Sequence, residues 1–333
     1  MDEDKMTNTR RRVLKIIALS TGVAMAPNAL LAAKNKTEMF EWHGRALGAE
    51  TSIQLYGEDK EKADAVLQKA ATIISKYEKL FSIYDENSAT STLNKAGALE
   101  NSPEEFIDLL KLSKKFSTET DGAFDITIQP LWNLYRSHFD GDDRERLEGK
   151  ISAALDIIGS DKITITENDV SFARDNMAVS FNGIAQGYIT DKVTEFLTEQ
   201  GYKNVLVDMG EYRAAAPQAN GEPWRIGLLD PFDTVSIADV IEIDSGAVAT
   251  SGGYGNQFDA SGKHHHLFNP ATGLSSDRYA SVTVRAADAT TADALSTAFS
   301  NMAVGDIKST LSKHPDAQAR LTFQNGKVTT LVS

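Results

Sequence analysis

Cysteine is absent from the 333 residues of the sequence. Disulfide bonds, thiolate metal sites and cysteine nucleophiles are therefore excluded, and the absence fits a protein that folds before it reaches an oxidising compartment. Basic side chains are scarce as well, because 34 lysines and arginines face 47 acidic residues and give a net charge of −13. Nucleic acid binding needs clustered lysine and arginine, so nucleic acid is not expected as a partner.

Long apolar runs are absent after the first 33 residues, so no stable membrane span is expected there. Before that point, the basic segment Thr9–Lys15 contains Arg10 and Arg11 and precedes a modest apolar run that ends in small residues. This order is typical of a twin-arginine export signal. A glycine, a proline and an asparagine interrupt the run, which favours a cleaved signal over residues 1–33 against the alternative of a membrane anchor. We therefore expect a periplasmic protein with one mature domain over residues 34–333.

The content of 41% hydrophobic and 24% charged residues is typical of a soluble globular chain. Hydrophobic periodicity predicts helices and strands that are mixed without a regular βαβ alternation. The sequence therefore predicts an α+β fold of antiparallel sheets flanked by helices, in which two subdomains could interleave. The expected helices are Glu61–Ser82, Ser102–Thr120 (with Ser102 as N-cap and Pro103 first), 150–159, one after Gly183 that stops at Gly201, Thr290–Met302 and about Asp306–Ser312. The expected strands include one strand or a hairpin in Phe40–Gly57, three short strands at 162–166, 170–173 and 177–181, and two near Arg320–Phe323 and Lys327–Val332.

A glycine-rich turn over Asn182–Lys192 runs directly into a predicted helix. Gly183 and Gly187 bracket this turn, which would expose backbone amides at a helix N-terminus and so could bind an anion. Many strand-to-helix turns need glycine for their shape alone, so the pattern by itself leaves a phosphate site and a plain turn as alternatives.

The late helix ATTADALSTAFSNM places Asp293 and Thr297 four residues apart, on one helix face. A carboxylate and a hydroxyl in this arrangement could hold a hard cation such as Mg²⁺, which prefers oxygen ligands. The alternative is an amphipathic helix in which the threonine bonds back to the backbone. The spacing alone favours that alternative.

The stretch HHHLFNPATG contains three adjacent histidines, His264, His265 and His266. In a strand, neighbouring side chains face opposite ways, and no acidic partner at metal-ligand spacing stands nearby, so a zinc site is not expected. At most one histidine is expected to be functional. His266 is the candidate because it lies nearest the Asn-Pro-Ala-Thr-Gly loop.

The segment DGAFDITIQPLW begins with a turn of small residues beside Asp125. Its aromatic side chains, Phe124 and Trp132, could stack on a planar ring or fill the core. Taken individually, core packing is the better interpretation of each.

Nine segments in this order resemble one family, the ApbE flavin transferases, which move FMN from FAD onto a threonine or serine of a partner protein. The resemblance covers nearly all of the chain from about Phe40 onward. The segments are LGAETSI, FSIYDENSATSTLN, TDGAFDITIQPLW, NGIAQGYITDKV, LVDMGEYRAA, PWRIGLLDP, VATSGGY, HHHLFNPATG and TADALSTA.

The resemblance implies an Mg²⁺ site formed by a backbone carbonyl at Gly183 and the side chains of Asp293 and Thr297. It implies that His266 is the functional histidine and acts as a base for the acceptor hydroxyl, with Asn269 and Thr272 of the same loop as further catalytic residues. Flavin contacts are implied at Leu47, Tyr84, Ala123, Phe124, Asp125, Ser180 and Gln186.

Three positions depart from the family pattern, and each replaces a charged residue with a neutral one. The family's aspartate before the glycine turn is Ser180, its lysine within that turn is Gln186, and the aspartate of its Asp-Pro pair is Asn269. The resemblance as a whole implies FAD as substrate and a flavoprotein domain of a membrane redox complex as acceptor. The twin-arginine pattern also resembles that of the exported family members that accompany nitrous oxide reductase maturation. Two alternatives stay open: an exported FAD-binding protein without transferase activity, and an FAD pyrophosphatase that uses water as acceptor.

Overall fold

A computed structural model of the protein describes residues 37–141 and 147–333. The predicted export signal over residues 1–33 lies outside the described residues. Across the described part of the chain, no helix combines the length and the apolar character that a membrane crossing requires. The helices are α1 Lys60–Phe81, α2 Ala89–Ala96, α3 Glu104–Glu119, α4 Gln129–Phe139, α5 Leu147–Asp156, α6 Ala185–Glu199, α7 Ala289–Phe299 and α8 Val304–Leu311. The strands are β1 Glu38–Ala46, β2 Ala49–Gly57, β3 Ala98–Leu99, β4 Ile163–Thr166, β5 Asp169–Phe172, β6 Val205–Asp208, β7 Tyr212–Ala214, β8 Trp224–Leu229, β9 Ile237–Ile243, β10 Gly246–Ser251, β11 Tyr279–Ala286, β12 Gln318–Phe323 and β13 Val328–Val332.

The central element is an eight-stranded antiparallel sheet with the strand order β1-β2-β6-β7-β10-β11-β12-β13. Of the two alternatives predicted for Phe40–Gly57, the hairpin is the one observed, since β1 pairs with β2 from Glu38 opposite Gly57 to Ala46 opposite Ala49. Leu47 and Gly48 form its two-residue turn, and both have positive φ angles, of 48° and 84°. Such a turn matches the right-handed twist of the two strands.

The main core lies between one face of this sheet and the helices α1, α3, α6 and α7. Helix α1 begins after Asp59, whose side chain accepts a hydrogen bond from the Lys62 N–H. The apolar stripe predicted for this helix is confirmed, because its alanine, leucine, isoleucine and tyrosine side chains face the core.

Two smaller apolar clusters flank the main core. The hairpin β8–β9 covers part of the other sheet face, where Trp224 and Ile226 pack against Tyr212 and Val248. In the second cluster, α4 and α5 pack against Phe268, so residues far apart in sequence form one substructure. The antiparallel sheets and flanking helices confirm the predicted α+β class, and this second cluster interleaves two chain regions.

The strand predicted at 177–181 is wrong. This segment is extended but pairs with no strand of the described residues. Instead, the Asn94 side-chain amide donates to the Val179 carbonyl at 2.9 Å and its oxygen accepts from the Val179 N–H at 2.7 Å. Ser180 N–H donates to the Ile126 carbonyl at 2.8 Å. A buried extended backbone must have its polar groups satisfied, and here a side chain does so instead of a neighbouring strand.

The predicted cap of α3 is also wrong, although the helix itself is confirmed. The helix begins at Glu104, and Pro103 occupies the cap position without a side-chain hydrogen bond. The Ser102 hydroxyl donates to the Leu99 carbonyl instead. The acidic first turn, Glu104 and Glu105, still favours this helix start through the helix dipole.

Candidate active site

A cleft opens where the start of α6 and the middle of α7 meet the loops around residues 123–129, 250–256 and 266–270. The space between its walls is about 1230 Å³ when the part open to solvent is included. The cleft brings together nine of the predicted site residues. These are Ala123, Phe124, Asp125, Ser180, Gly183, Gln186, His266, Asp293 and Thr297.

The cleft floor, which we define as Gly183, Gly187, Asp293 and Thr297, is formed by the close contact of the α6 N-terminal turn with α7. A Cβ atom on Gly187 would lie 2.3 Å from the Ala289 carbonyl oxygen, and one on Gly183 would lie 2.9 Å from Thr297 Oγ1. Neither position has room for a side chain. The absence of a side chain at Gly183 and Gly187 therefore lets α7 approach closely, which places Thr297 and Asp293 next to the N-terminal turn of α6.

Asp293 is 4% exposed and accepts a hydrogen bond from the Gly187 N–H at 3.0 Å. Burial raises the pKa of its carboxyl to about 7, while the Gly187 hydrogen bond acts in the opposite direction. The carboxyl can therefore bind a proton or a cation near neutral pH, because either one relieves the cost of a buried charge.

Two further carboxyls, those of Glu211 and Asp208, form a chain of neighbouring charges with Asp293. No role was predicted for either from the sequence. Burial, together with the charges of Asp293 and Asp208, raises the pKa of Glu211 well above its ordinary value. Burial also raises the pKa of Asp208 to about 6. Glu211 lines the cleft, and its Oε2 atom has no hydrogen-bond partner among the described residues. The only sequence signal was an acidic residue directly after an apolar strand, in VLVDMGEY.

The predicted ligands of the floor are all oxygen atoms, the kind of donor that a hard cation prefers. Among the residues that the structure describes, no group of three or more histidine and acidic side chains is arranged to hold a metal ion. The predicted set is of another kind, since it combines one carboxylate, one hydroxyl and one backbone carbonyl. Asp293 and Thr297 stand one turn apart on α7, and Gly183 abuts Thr297. Mg²⁺ binds such oxygen ligands and completes its shell with water or substrate phosphate.

The three histidines have different surroundings. His265 is buried, its Nε2 lies 2.8 Å from the Ser276 carbonyl, and its Nδ1 accepts from the Leu267 N–H at 3.3 Å. Burial lowers its pKa, so this ring is a neutral structural element. His264 lies 3.8 Å from Asp259 and contacts Tyr135. No acidic partner near the three histidines was predicted from the sequence, and Asp259 is such a partner.

His266 is the histidine that lines the cleft. Its Nδ1 lies 3.2 Å from the Asn256 carbonyl oxygen. A carbonyl can only accept, so in the neutral ring Nδ1 carries the proton and Nε2 carries the lone pair. The ring is thus held in the tautomer that a base acting through Nε2 needs.

The cleft wall around residues 124–129 is held together by hydrogen bonds to one carboxylate. The Asp125 carboxylate accepts hydrogen bonds from the Thr127 N–H and hydroxyl and from the Ser160 N–H. Burial raises its pKa, although these hydrogen bonds oppose the shift. Asp125 therefore fixes the short helical turn Ile126–Ile128. For Phe124, core packing was predicted from the residue alone and a flavin contact from the family resemblance. Its side chain is buried, and the residue also lines the cleft.

Gln186 and Ser180 occupy two of the positions that depart from the family pattern, and both line the cleft. Gln186 Nε2 donates to the Met209 carbonyl at 2.9 Å. Ser180 Oγ accepts from the Asn182 N–H at 3.3 Å. Both side chains therefore bind local backbone and present no charge to the cleft.

Four predicted site residues do not line the cleft. Leu47 is buried in the β1–β2 turn, and Tyr84 is 55% exposed. Asn269 Oδ1 accepts from the Ala271 N–H at 2.9 Å, and Thr272 is exposed. Pro270 and not Asn269 is the part of that loop that reaches the cleft. The side chains of Asn269 and Thr272 shape the rim loop, which we define as residues 264–274.

Comparison with known proteins shows which family this chain resembles. A sequence model of the ApbE family matches residues 47–321. An FAD:protein FMN transferase of Vibrio cholerae serotype O1 is 30% identical over 291 residues, which cover 83% of this chain and 85% of that relative. A protein of the same name from Escherichia coli K12 is 26% identical over 275 residues, or 78% of each chain.

Solved structures agree as well. The crystal structure of the ApbE protein from Thermotoga maritima matches with a TM-score of 0.77 at 30% identity, over 88% of this chain and 96% of that one. The apo form of the Pseudomonas stutzeri flavinyl transferase ApbE matches with a TM-score of 0.75 at 27% identity, over 90% and 95%. Because the family model spans most of the sequence and the Vibrio relative shares 30% identity over more than two thirds of it, this chain belongs to the ApbE family.

Proposed function

We propose that the protein is an FAD:protein FMN transferase, the activity by which its Vibrio and Escherichia relatives are named. The observation that carries the proposal is the cleft floor, where buried Asp293 stands one turn from Thr297 against Gly183. His266 faces the same cleft with its Nε2 atom unprotonated in the neutral ring. A buried carboxyl and a base that line one cleft suit a reaction at phosphate.

The proposed reaction transfers the FMN phosphoryl group of FAD. The bond between the FMN phosphorus and the oxygen bridging to AMP breaks, and AMP leaves with that oxygen. A new bond forms between the same phosphorus and the hydroxyl oxygen of an acceptor threonine or serine. His266 Nε2 takes the hydroxyl proton in this scheme. Asp125 and the turn that it caps hold the cleft wall in place for the flavin part of the substrate.

The floor residues Gly183, Asp293 and Thr297 would hold Mg²⁺. When bound, the ion would neutralise charge on the phosphate oxygens. Asp293 is suited to this role because burial makes its charged carboxylate costly in the protein without metal. A bound cation would stabilise that carboxylate, so metal binding would also stabilise the folded protein.

Covalent transfer tests the proposal. Purified protein, FAD, Mg²⁺ and a flavin-acceptor domain are mixed, and the acceptor is examined for flavin fluorescence after denaturation. We expect a fluorescent acceptor band with the wild type and a reaction at least about 100-fold slower with Asp293→Asn. Loss of a residue that only orients a metal ligand slows such reactions by about 10- to 100-fold, and loss of the ligand itself should cost more. Asp306→Asn, on the exposed start of α8, is the matched control. Equal rates for the wild type and Asp293→Asn would refute the metal site.

The base is tested separately. His266→Ala should slow transfer by about 100-fold or more while FAD binding persists, in line with the usual contribution of general base catalysis. Full transfer by this variant would remove His266 from the mechanism.

The alternative is an FAD-binding protein without transfer, or one that cleaves FAD with water as acceptor. The neutral side chains of Ser180 and Gln186 favour it, because both bind local backbone instead of presenting a charge to the cleft. The transfer assay separates these functions. Release of AMP without a fluorescent acceptor indicates a pyrophosphatase, and FAD binding without AMP indicates a binding protein.

The proposed site of action is the periplasm, with a flavoprotein domain of a membrane redox complex as acceptor. The basis is the twin-arginine pattern at Arg10 and Arg11. Replacement of both by lysine should leave the full-length protein in the cytoplasm. Unchanged periplasmic accumulation would refute this export route.

A further inference from the structure

The first turn of α7 is held by a side chain of a different helix. Asp191 lies on α6, is 5% exposed and does not line the cleft. Its carboxylate accepts hydrogen bonds from the Ala289 N–H and the Thr290 N–H, each at 2.8 Å, and from the Thr290 hydroxyl. Arg213 Nη1 donates to the same carboxylate at 2.8 Å. Asp191 thus meets the start of α7 with both of its oxygen atoms.

A second carboxylate caps the same helix locally. Asp288 precedes α7 and accepts from the Thr291 N–H at 2.7 Å and from the Thr291 hydroxyl at 3.0 Å. The free N–H groups of a helix start need such acceptors. The two aspartates therefore have different roles. Asp288 accepts from an N–H group of α7 within its own chain segment, whereas Asp191 accepts from N–H groups of α7 across the contact with α6.

Asp191 stands four residues after Gly187, so both lie on the same face of α6. Gly187 touches the Ala289 carbonyl region and donates to Asp293, while Asp191 binds Ala289 N–H. Contact between the two helices is thus fixed at two successive turns. The second of these turns lies outside the cleft, and a change there need not alter the cleft lining.

We propose that Asp191 is a positioning residue, which sets α7 against α6 so that Asp293 and Thr297 face Gly183 in the geometry that a cation requires. The inference rests on the proposed function, because it concerns the same floor. Mg²⁺ and Mn²⁺ sites depend on outer groups that orient their ligands, so a small rotation of α7 should weaken cation binding.

The test measures Mn²⁺ binding without FAD, by the electron paramagnetic resonance signal of the free ion. Asp191→Asn keeps the size of the side chain but replaces one acceptor with a donor. We expect at least roughly 10-fold weaker Mn²⁺ binding, the usual scale for loss of an orienting group. FAD affinity in the absence of metal should stay within about twofold of the wild type, because Asp191 does not line the cleft.

The matched control is Asp288→Ala, which removes a cap from the same helix but no link to α6. It should lower the melting temperature and leave Mn²⁺ affinity near the wild-type value. If Asp288→Ala weakens Mn²⁺ binding as much as Asp191→Asn does, general stability of α7 explains the effect and the inference is overturned. Should Asp191→Asn fail to fold, Thr290→Val replaces it and removes one bond to Asp191. Unchanged Mn²⁺ affinity in Thr290→Val would then overturn the inference.

Asp293→Asn separates this inference from the proposed function. If the wild type and Asp293→Asn bind Mn²⁺ equally, the floor is not a metal site, and the inference falls with it. If Asp293→Asn abolishes binding and Asp191→Asn leaves it unchanged, the metal site stands and only the positioning role of Asp191 is overturned.

Discussion

The cleft floor and the rim loop are built in opposite ways. The floor depends on contacts between residues far apart in sequence, such as the hydrogen bond from Gly187 to Asp293. The rim loop satisfies most of its polar groups from the short chain segment around it, residues 256–276, as Asn269 does with Ala271. Substitutions in the floor should therefore disturb the whole site, whereas most changes in the rim loop should remain local.

The largest expected effect is that of Gly187→Ala. The added Cβ would lie 2.3 Å from the Ala289 carbonyl oxygen, so α6 and α7 must separate. We expect a loss of about 3 kcal/mol in the free energy of unfolding and loss of flavin transfer. Urea denaturation measures the first effect, and in-gel fluorescence measures the second.

The control for that change is Gly305→Ala in α8, where a Cβ would meet nothing within 4 Å. It should stabilise the protein by about 0.5 kcal/mol, because alanine is the better helix former. An equal loss of stability in both variants would mean that close packing at Gly187 is not the cause.

In the rim loop, His265→Ala should be the exception to local behaviour. It removes the hydrogen bonds to Ser276 and Leu267 from a buried site and leaves their backbone groups unsatisfied. We expect a loss of about 2 kcal/mol in the free energy of unfolding, measured by urea denaturation. His266→Ala should cost less stability and more activity. The reverse order of the two variants would contradict the roles assigned to these histidines.

The floor should also respond to pH. The pKa of Asp293 is raised from its ordinary value of 3.8 to about 7, so between these values the unfolded chain loses a proton that the folded chain keeps. Unfolding is therefore increasingly favoured as pH rises from about 4 to 7, and this penalty stays constant above that range.

Thermal unfolding of the apo protein at pH 5 and pH 8, compared with Asp293→Asn, measures this contribution. The melting temperature of the wild type should fall by several degrees relative to the variant as pH rises. Mg²⁺ added at pH 8 should restore it for the wild type alone. A difference between the two proteins that does not vary with pH would show that Asp293 is already charged in the folded state.

The smallest effect is expected for Thr272→Ala in the rim loop. The side chain is exposed and its hydroxyl accepts only a long hydrogen bond, at 3.3 Å, from the Leu274 N–H. Stability should change by less than about 0.5 kcal/mol, and transfer should stay near the wild-type rate. A large loss of transfer with normal folding would restore the catalytic role that the family resemblance implied.

Sequence spacing was informative wherever a feature lies within one element. The pair Asp293 and Thr297 could be placed on one helix face, and Phe40–Gly57 could be recognised as a strand or hairpin. The resemblance to the ApbE family, confirmed by comparison, then pointed to nine of the residues that line the cleft.

Features that depend on tertiary contacts could not be read from the sequence. Asn94 replaces a neighbouring strand for Val179, and Asp191 caps a helix 98 residues further along the chain. Neither contact leaves a periodic signal. Likewise, the raised pKa of Glu211 depends first on burial and then on the charge of Asp293, which lies far along the chain, and only the smaller effect of Asp208 comes from the local sequence.

The distance along the chain between the two halves of the floor has a consequence for biosynthesis. Gly187 and Asp293 are separated by 106 residues, and the strands β6 to β11 are made between them. During synthesis, the face of α6 that carries Gly187 must wait for α7 to emerge before it is covered. The floor can therefore form only after α7 has been made and the long intervening chain has closed into a loop. A chain that stops before α7 would have most of the central sheet and no floor.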